Sequence, residues 1–256
     1  MPLLLPPSPE LSGLIESYWF LPRRDVPGAS RCGFFTDGHF ALGFVLGEGH
    51  AQCFLGGPNT RPLEVQLEGG LDYLMVRFRP GKLPRFGDVP PAALVDATAE
   101  GPTRLLGLSA ADLGERLRQA GEPAGQRAVW EDLFRRRPCP ALWQDRRARW
   151  AVERVGACGG RIGAASLAHE LGLSLRTLER LFREQVGLPP QSFIRHVRFQ
   201  TALARLKAGP ARGTLARVAL ECGYADQSHF IKDFQALAGR RPGELIVSRP
   251  YNPVPP

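Results

Sequence analysis

The 256-residue chain has no run of 18 apolar residues, so no segment reads as a membrane-spanning helix. It has five cysteines, at positions 32, 53, 139, 158 and 222, and no two are spaced C-x2-C. That removes the usual signature of a zinc site. The cysteine count is odd, and the opening MPLLLPP is too short and proline-broken for the apolar core of a secretory leader. Free thiols in a reducing cytoplasm are the expectation. Cys32 and Cys53 could form a redox pair if they sat on facing strands, but ordinary buried thiols explain them as well. Histidine is also scarce. His39 and His50 lie eleven apart with no H-x-H pair, so they read as surface or turn residues. No metal, no cofactor and no catalytic residue is expected.

Charge of one sign is lacking in one half only. Residues 1–140 hold 15 Lys+Arg against 16 Asp+Glu, and residues 141–256 hold 18 against 9. The net +8 of the chain is therefore confined to its second half. Arginine outnumbers lysine throughout, which compositional bias alone could produce. The asymmetry between the halves is what points to a polyanionic partner for the basic half.

The basic half contains an internal repeat. AASLAHELGLSLRTLERLFREQVGLPP starts at Ala164, and TLARVALECGYADQSHFIKDFQALAGRRP starts at Thr214. Ala168 matches Ala219 and Gly172 matches Gly223. One residue later in register, Leu178 matches Phe230, Phe182 matches Phe234, Gly187 matches Gly239 and Pro190 matches Pro242. A repeat whose only insertion falls in a turn is hard to obtain by chance. In each copy a first helix has an apolar face: Leu167, Ala168 and Leu171, or Leu215, Val218, Ala219 and Cys222. A glycine ends it. Leu173 or Tyr224 plugs the turn, and Ser174 or Asp226 caps a second helix. That second helix buries Leu178, Leu181 and Phe182, or Phe230 and Phe234. Its other face carries Arg176, Glu179, Arg180 and Arg183, or Gln227, Ser228, Lys232 and Gln235. Such a unit can place its second helix in the DNA major groove. A helix over 191–207, with Phe193, Ile194, Val197, Leu203 and Leu206 on a stripe, joins the copies. It would span about 25 Å, the order needed to reach adjacent groove turns roughly 34 Å apart.

The first half reads differently. Residues 1–13 look irregular. Short strands are predicted at 14–21, 51–55, 63–67 and 73–78, separated by Gly and Pro. Asp37-Gly38, between apolar runs, carries a hairpin signal. The aromatics Tyr18, Trp19, Phe34, Phe35, Phe40 and Phe44 are expected to divide between core and pocket. Helices are predicted at 109–119, 124–135 and 141–157, with Arg135-Arg136-Arg137-Pro138 as a solvated hinge. The class is α+β: a small β-barrel or sandwich with a helical tail over 1–138, an all-α domain over 139–248, and a proline-rich tail over 249–256.

The pattern A-x-x-C-G-Y-x-D-Q-S-H-F-x-K-x-F followed by G-R-R-P resembles the signature of the AraC/XylS-type transcription regulators. The first copy, S-L-x-x-L-x-R-L-F-x-x-x-V-G-L-x-P, is similar to that family's first unit. The resemblance covers about 164–245 and implies two helix-turn-helix units acting on one duplex. Carried over by position, it puts base reading on Arg176, Glu179, Arg180, Gln227, Ser228, Lys232 and His229. The chemistry agrees: Arg suits guanine, Gln adenine and Glu cytosine. Ser174, Arg183, Arg195, Arg198 and Arg217 are the candidates for phosphate contacts. FFTDGHFALGFVLG and VRFRPG look like a cupin-like β domain, implying a sensing or dimerising module. Double-stranded DNA, a small-molecule effector, RNA polymerase and a second copy of the chain are the partners this implies for an activator of the family.

Two other readings compete. An alkylation-repair methyltransferase can carry such a helix-turn-helix, but Cys139 sits in P-C-P and lacks the P-C-H-R nucleophile. A helical module for protein contacts alone would not need the charge asymmetry.

Overall fold

In the computed structural model the described residues are 3–22, 25, 28–36, 38–82, 89–100, 107–136, 145–207 and 215–247. The first half is built on an antiparallel sheet of six strands in the order β1-β2-β7-β4-β5-β8. These are β1 Leu3–Leu5, β2 Ile15–Leu21, β4 Ala41–Gly47, β5 His50–Gly56, β7 Asp72–Phe78 and β8 Thr98–Glu100. A second sheet pairs β3 Ser30–Phe34 with β6 Leu63–Leu67. Period-two alternation sorts the side chains. In β2, Tyr18 and Phe20 are buried while Trp19 between them faces the other way and stays half-exposed, and a register shift between Ile15 and Ser17 lets Ile15 be buried as well.

One face of the large sheet is covered by α1 Ala110–Ala120 and α2 Pro123–Arg136. Ser109 and Asp112 close a capping box at the start of α1. Leu113, Leu117, Trp130, Leu133 and Phe134 then pack on Tyr18, Phe44, Val76 and Phe78 in a single core. The other face of the sheet, with β3 and β6, encloses a cavity.

Several expectations are corrected. Residues 3–5 form an edge strand and 9–11 a 3-10 turn, so the opening is not irregular. The hairpin signal at Asp37-Gly38 fails, because β3 and β4 lie in different sheets. Gly38 does adopt a left-handed φ of 70°, but tertiary pairing overrides the local turn. Asp37 lies outside the described residues. The tight hairpin is instead β4–β5, turning at Glu48-Gly49. His39 is not at the surface. It is 9% exposed and sits between Glu16, at 3.0 Å, and Arg77, at 3.0 Å. Arg135 and Arg136 are the last turn of α2, not a hinge. Arg135 ties Glu131 to Glu10 and Ser8 of the N-terminal segment.

The second half is helical: α3 Arg146–Ala157, α4 Ala164–Glu170, α5 Leu175–Gln185, α6 Pro190–Lys207, α7 Leu215–Glu221, α8 Gln227–Ala238 and α9 Pro242–Val247. It has two cores. Leu167, Ala168, Leu178, Phe182 and Val186 form the first, and Ala219, Cys222, Tyr224, Phe230, Phe234 and Leu237 the second. The linking helix α6 serves both. Its first turns give Phe193 and Ile194 to one core, and its later turns give Phe199, Ala202 and Leu203 to the other. The expected division at 138/139 falls among residues outside the described set, as do Cys139, Arg137, Leu142 and the tail from 248.

Candidate nucleic-acid interface

The two units share atomic detail as well as sequence. Gly172 and Gly223, with φ of 63° and 80°, end the first helix of each unit in the left-handed region. The next amide then turns back to the same place. Leu173 N–H donates to Ala168 O at 2.9 Å, and Tyr224 N–H donates to Ala219 O at 3.0 Å. Ser174 Oγ accepts from Thr177 N–H at 3.1 Å, and Asp226 Oδ1 accepts from His229 N–H at 2.7 Å, each capping the following helix. The extra residue of the second copy is absorbed in the turn between them.

Each second helix has a packed back and a polar front. Behind α5, Leu178 and Phe182 are fully buried, and Phe182 meets Phe193 at 5.8 Å between ring centroids. Behind α8, Phe230 and Phe234 are fully buried, with Phe234 against Phe199 at 4.9 Å. In front, Arg176, Arg180, Gln227, Ser228, His229 and Lys232 are exposed, and Glu179 is half-buried. His229 and Tyr224 stand edge to face, 5.4 Å apart between ring centroids. Arg180 reaches Glu184 at 3.4 Å, a surface pair that is readily exchanged. Among the described residues Arg176, Arg183 and Lys232 take no ion-pair partner.

The expected phosphate contacts divide into two groups. Arg183 is exposed at the end of α5, and the Ser174 hydroxyl is engaged as a helix cap. Arg217 is exposed and pairs with Glu221 at 2.8 Å. Arg195 is tied to the buried carboxylate of Asp233, which also accepts from the Tyr224 hydroxyl at 3.2 Å. Burial pushes the Tyr224 phenol well up from its ordinary value, helped by the Asp233 charge. Arg198 turns inward: its Nε and Nη2 donate to Gly160 O at 3.1 and 2.9 Å, and its guanidinium lies 5.5 Å from the Tyr224 ring centre. Helical spacing alone does not show the α3–α4 turn lying against α6, so these inward bonds were not expected beside the phosphate role.

The two halves are docked together. The N–H and hydroxyl of Thr36 donate to Leu237 O at 3.2 and 3.1 Å, and Gln200 Nε2 donates to Thr36 O at 2.7 Å. Phe35 meets Phe199 edge-on at 6.2 Å. Val95 packs into the core of the first unit. These contacts reach the backs of both units and leave their fronts open.

Beside this seam lies the cavity of the β half, about 390 Å³ in volume. Trp19, Phe34, Phe35, Phe44, Phe54 and Tyr73 supply its aromatic wall. The six aromatics singled out from sequence thus divide: Tyr18 and Phe40 are core, Trp19, Phe34 and Phe35 are cavity wall, and Phe44 serves both. Phe54 and Tyr73 were missed, although both lie in predicted strands. Cys53 is buried and unpaired, and desolvation pushes its thiol up to about 12. Cys32 lies in the smaller sheet and Cys53 in the larger. Among the described residues no group of three or more His, Cys, Asp or Glu could hold a metal, and no helix is long and apolar enough to cross a membrane.

Fold and site together define a protein with a β domain and a duplicated helix-turn-helix domain. Residues 167–246 match the family described as "Helix-turn-helix domain", and residues 4–100 match "Domain of unknown function (DUF6597)". The chain carries the double helix-turn-helix domain of the AraC/XylS-type transcription regulators. It is similar to the HTH-type transcriptional activator RhaS of Escherichia fergusonii, 32% identical over 84 residues, which is 33% of this chain and 30% of that protein. It is also similar to the HTH-type transcriptional regulator MtrA of Neisseria gonorrhoeae, 30% identical over 103 residues, 40% of this chain and 34% of that one. The chain thus spans about a third of the length of these curated relatives. Among solved structures, a probable AraC family transcriptional regulator from Rhodopseudomonas palustris is 30% identical, with 41% of this chain and all of that one covered and a TM-score of 0.37. ToxT from Vibrio cholerae O395 is 10% identical, with 90% of this chain and 96% of that one covered and a TM-score of 0.45.

Proposed function

We propose that this chain is a sequence-specific DNA-binding transcription regulator of the AraC/XylS type, acting in the cytoplasm and modulated through its β domain. The supporting observation is that both second helices keep hydrogen-bonding fronts exposed while their backs are fixed by two separate cores. On this reading Arg176, Glu179, Arg180, Gln227, Ser228, His229 and Lys232 read base edges. Arg183 and Arg217 meet phosphates, with Ser174 at a helix start. Arg198 acts as an internal tie, and Arg195, exposed although paired with Asp233, stays a phosphate candidate. The domain division proposed at 138/139 follows the separate cores on either side of it. An effector in the cavity belongs to the same proposal. Contact with RNA polymerase and self-association rest on the resemblance alone.

The test is selection of bound fragments from the source genome, followed by gel shifts at two salt concentrations. A regulator retains a small set of promoter fragments and loses affinity steeply as salt rises. Recovery of no preferred fragment would refute it.

A further inference from the structure

We infer that the β-domain cavity takes an uncharged, ring-bearing apolar molecule, and that two wall segments carry its occupancy to the two helix-turn-helix units. This rests on the effector reading above and gives it a ligand class and a route.

The ligand class follows from the lining. The cavity wall is mainly aromatic and aliphatic, and among the described residues that line it there is no lysine or arginine. Its polar groups are mostly engaged elsewhere. The Tyr73 hydroxyl lies 2.6 Å from Glu68 N, accepting its N–H. The ring nitrogens of His39 meet Arg77 and Glu16. The Asp96 carboxylate accepts from Thr60 N–H at 2.7 Å and from Thr60 Oγ1 at 2.5 Å. The side chains of Asn59 and Thr98 remain to orient one polar group. A sugar brings many hydroxyls and would leave most of them unpaired, at a cost for each. An anion would be desolvated beside the Asp96 carboxylate with no cation among the described lining residues to offset it, and Arg77, behind His39, is already held by Glu16 at 2.9 Å. A flat neutral molecule leaves no charge and few polar groups unpaired on entry and gains ring contacts from Trp19, Phe34 and Phe54.

The route follows from what the same wall residues touch outside. Phe34 and Phe35 line the cavity, and Phe35 and the adjoining Thr36 hold Phe199 and Leu237 of the second unit. Asp96, Ala97 and Thr98 line it on another side. Asp96 has a φ of 55°, the left-handed region, and among the described residues is the only non-glycine there. Such a conformation persists only where its surroundings hold it. Just before it, Val95 enters the core of the first unit, and Pro91 O lies 2.9 Å from where a side chain at Gly187 would start. Asn59, also in the wall, accepts from His196 of the linking helix through its main-chain oxygen at 3.0 Å, taking that ring nitrogen as protonated. A molecule that fills the cavity therefore loads both segments. Binding and docking are then linked by whatever affinity difference the two arrangements offer.

The test uses the full chain and the neutral fluorophore N-phenyl-1-naphthylamine, without DNA. Saturable one-site binding is expected, weakened by at least about tenfold in each of two cavity-filling variants, Ala41→Phe and Val65→Phe. 1-Naphthalenemethanol should displace the probe, 1-naphthoate should do so at least about tenfold more weakly, and glucose should not. Hydrogen exchange with saturating probe should show altered protection at 185–200 and 234–238, and Thr36→Val should reduce the change at 234–238 while shifting probe affinity by less than the about tenfold of the cavity-filling variants. Undiminished binding in the variants that fold, displacement by glucose, or equal displacement by naphthoate overturns the ligand class. Protection changes confined to the sheets overturn the route. A chain that binds the probe but prefers no duplex refutes the regulator reading and leaves the cavity assignment standing. The converse result does the opposite.

Discussion

His196 Nε2 lies 3.0 Å from the main-chain oxygen of Asn59, 137 residues earlier, while His196 Nδ1 lies 2.6 Å from Ser192 O. The ring is 2% exposed. The helix that links the two repeats is thus fastened to the β domain by a buried polar contact, close to the Thr36–Leu237 and Gln200–Thr36 bonds. His196→Ala leaves a carbonyl without that partner and removes ring packing. A loss of about 1–3 kcal/mol is expected, read as a lower denaturant midpoint of the full chain. An unchanged midpoint would show that the contact adds nothing to the docking.

If the exposed fronts read DNA, substitutions there should separate by chemistry. Arg180→Ala and Gln227→Ala should each relax preference at one base position, costing about 1–3 kcal/mol on the preferred site. Arg183→Ala should weaken all duplexes alike and reduce the salt slope by about one. Binding profiles of the variants on a randomised site library would check this. A uniform loss in all three would erase the distinction between base and phosphate contacts.

How far the sequence was legible depends on how local each determinant is. The repeat was readable because every decisive contact lies within one turn: Gly172 and Gly223 stop a helix, and Ser174 and Asp226 start one. Strands β5, β6 and β7 were readable from alternation and glycine punctuation. Asp37-Gly38 misled because strand pairing is non-local, and β3 found β6 rather than β4. β1 was hidden because three leucines between prolines carry no period, and only pairing with β2 makes them a strand. The inward bonds of Arg198 were hidden for the same reason. Its helix position was right, but Gly160 approaches it from another element.

Arg198→Ala should therefore act on folding. It removes two charge-assisted donors from Gly160 O and a guanidinium from beside the Tyr224 ring. Destabilisation of about 1.5–3 kcal/mol is expected, with an unchanged salt slope of DNA binding at temperatures where the variant is folded. Urea unfolding together with a salt titration would check it. A stable variant with a reduced slope would return Arg198 to the phosphates.

Gly187 ends α5 with a φ of 84°, and a side chain there would start 2.9 Å from Pro91 O and 3.1 Å from the Phe40 ring. Gly187→Ala meets both a left-handed backbone and a close backbone oxygen across the seam. About 1–3 kcal/mol of strain is expected. Gly172→Ala has a similar φ but no atom within 4 Å, so it should cost less. Comparing the two melting curves isolates the contribution of the seam from that of the backbone.

Acid should weaken the helical half through two arginine–carboxylate ties. Hydrogen bonding from Arg154 holds the Glu170 carboxyl below its usual range, joining α3 to α4. Hydrogen bonding from Arg217, with the Arg205 charge nearby, does the same for Glu221. A carboxylate whose folded value is depressed adds stability above its unfolded value, which is about 4.3 for Glu, and loses that stability as pH falls through the folded one. The contribution is therefore complete at neutral pH and fades below about pH 4. Arg154→Ala and Arg217→Ala should lower the urea midpoint at pH 7 by a small amount, since both pairs are solvent-exposed. The gap from the parent chain should close as the pH is taken towards 3. A gap that stays constant with pH would mean that packing of the arginine stems, and not their charge on these carboxylates, makes the difference.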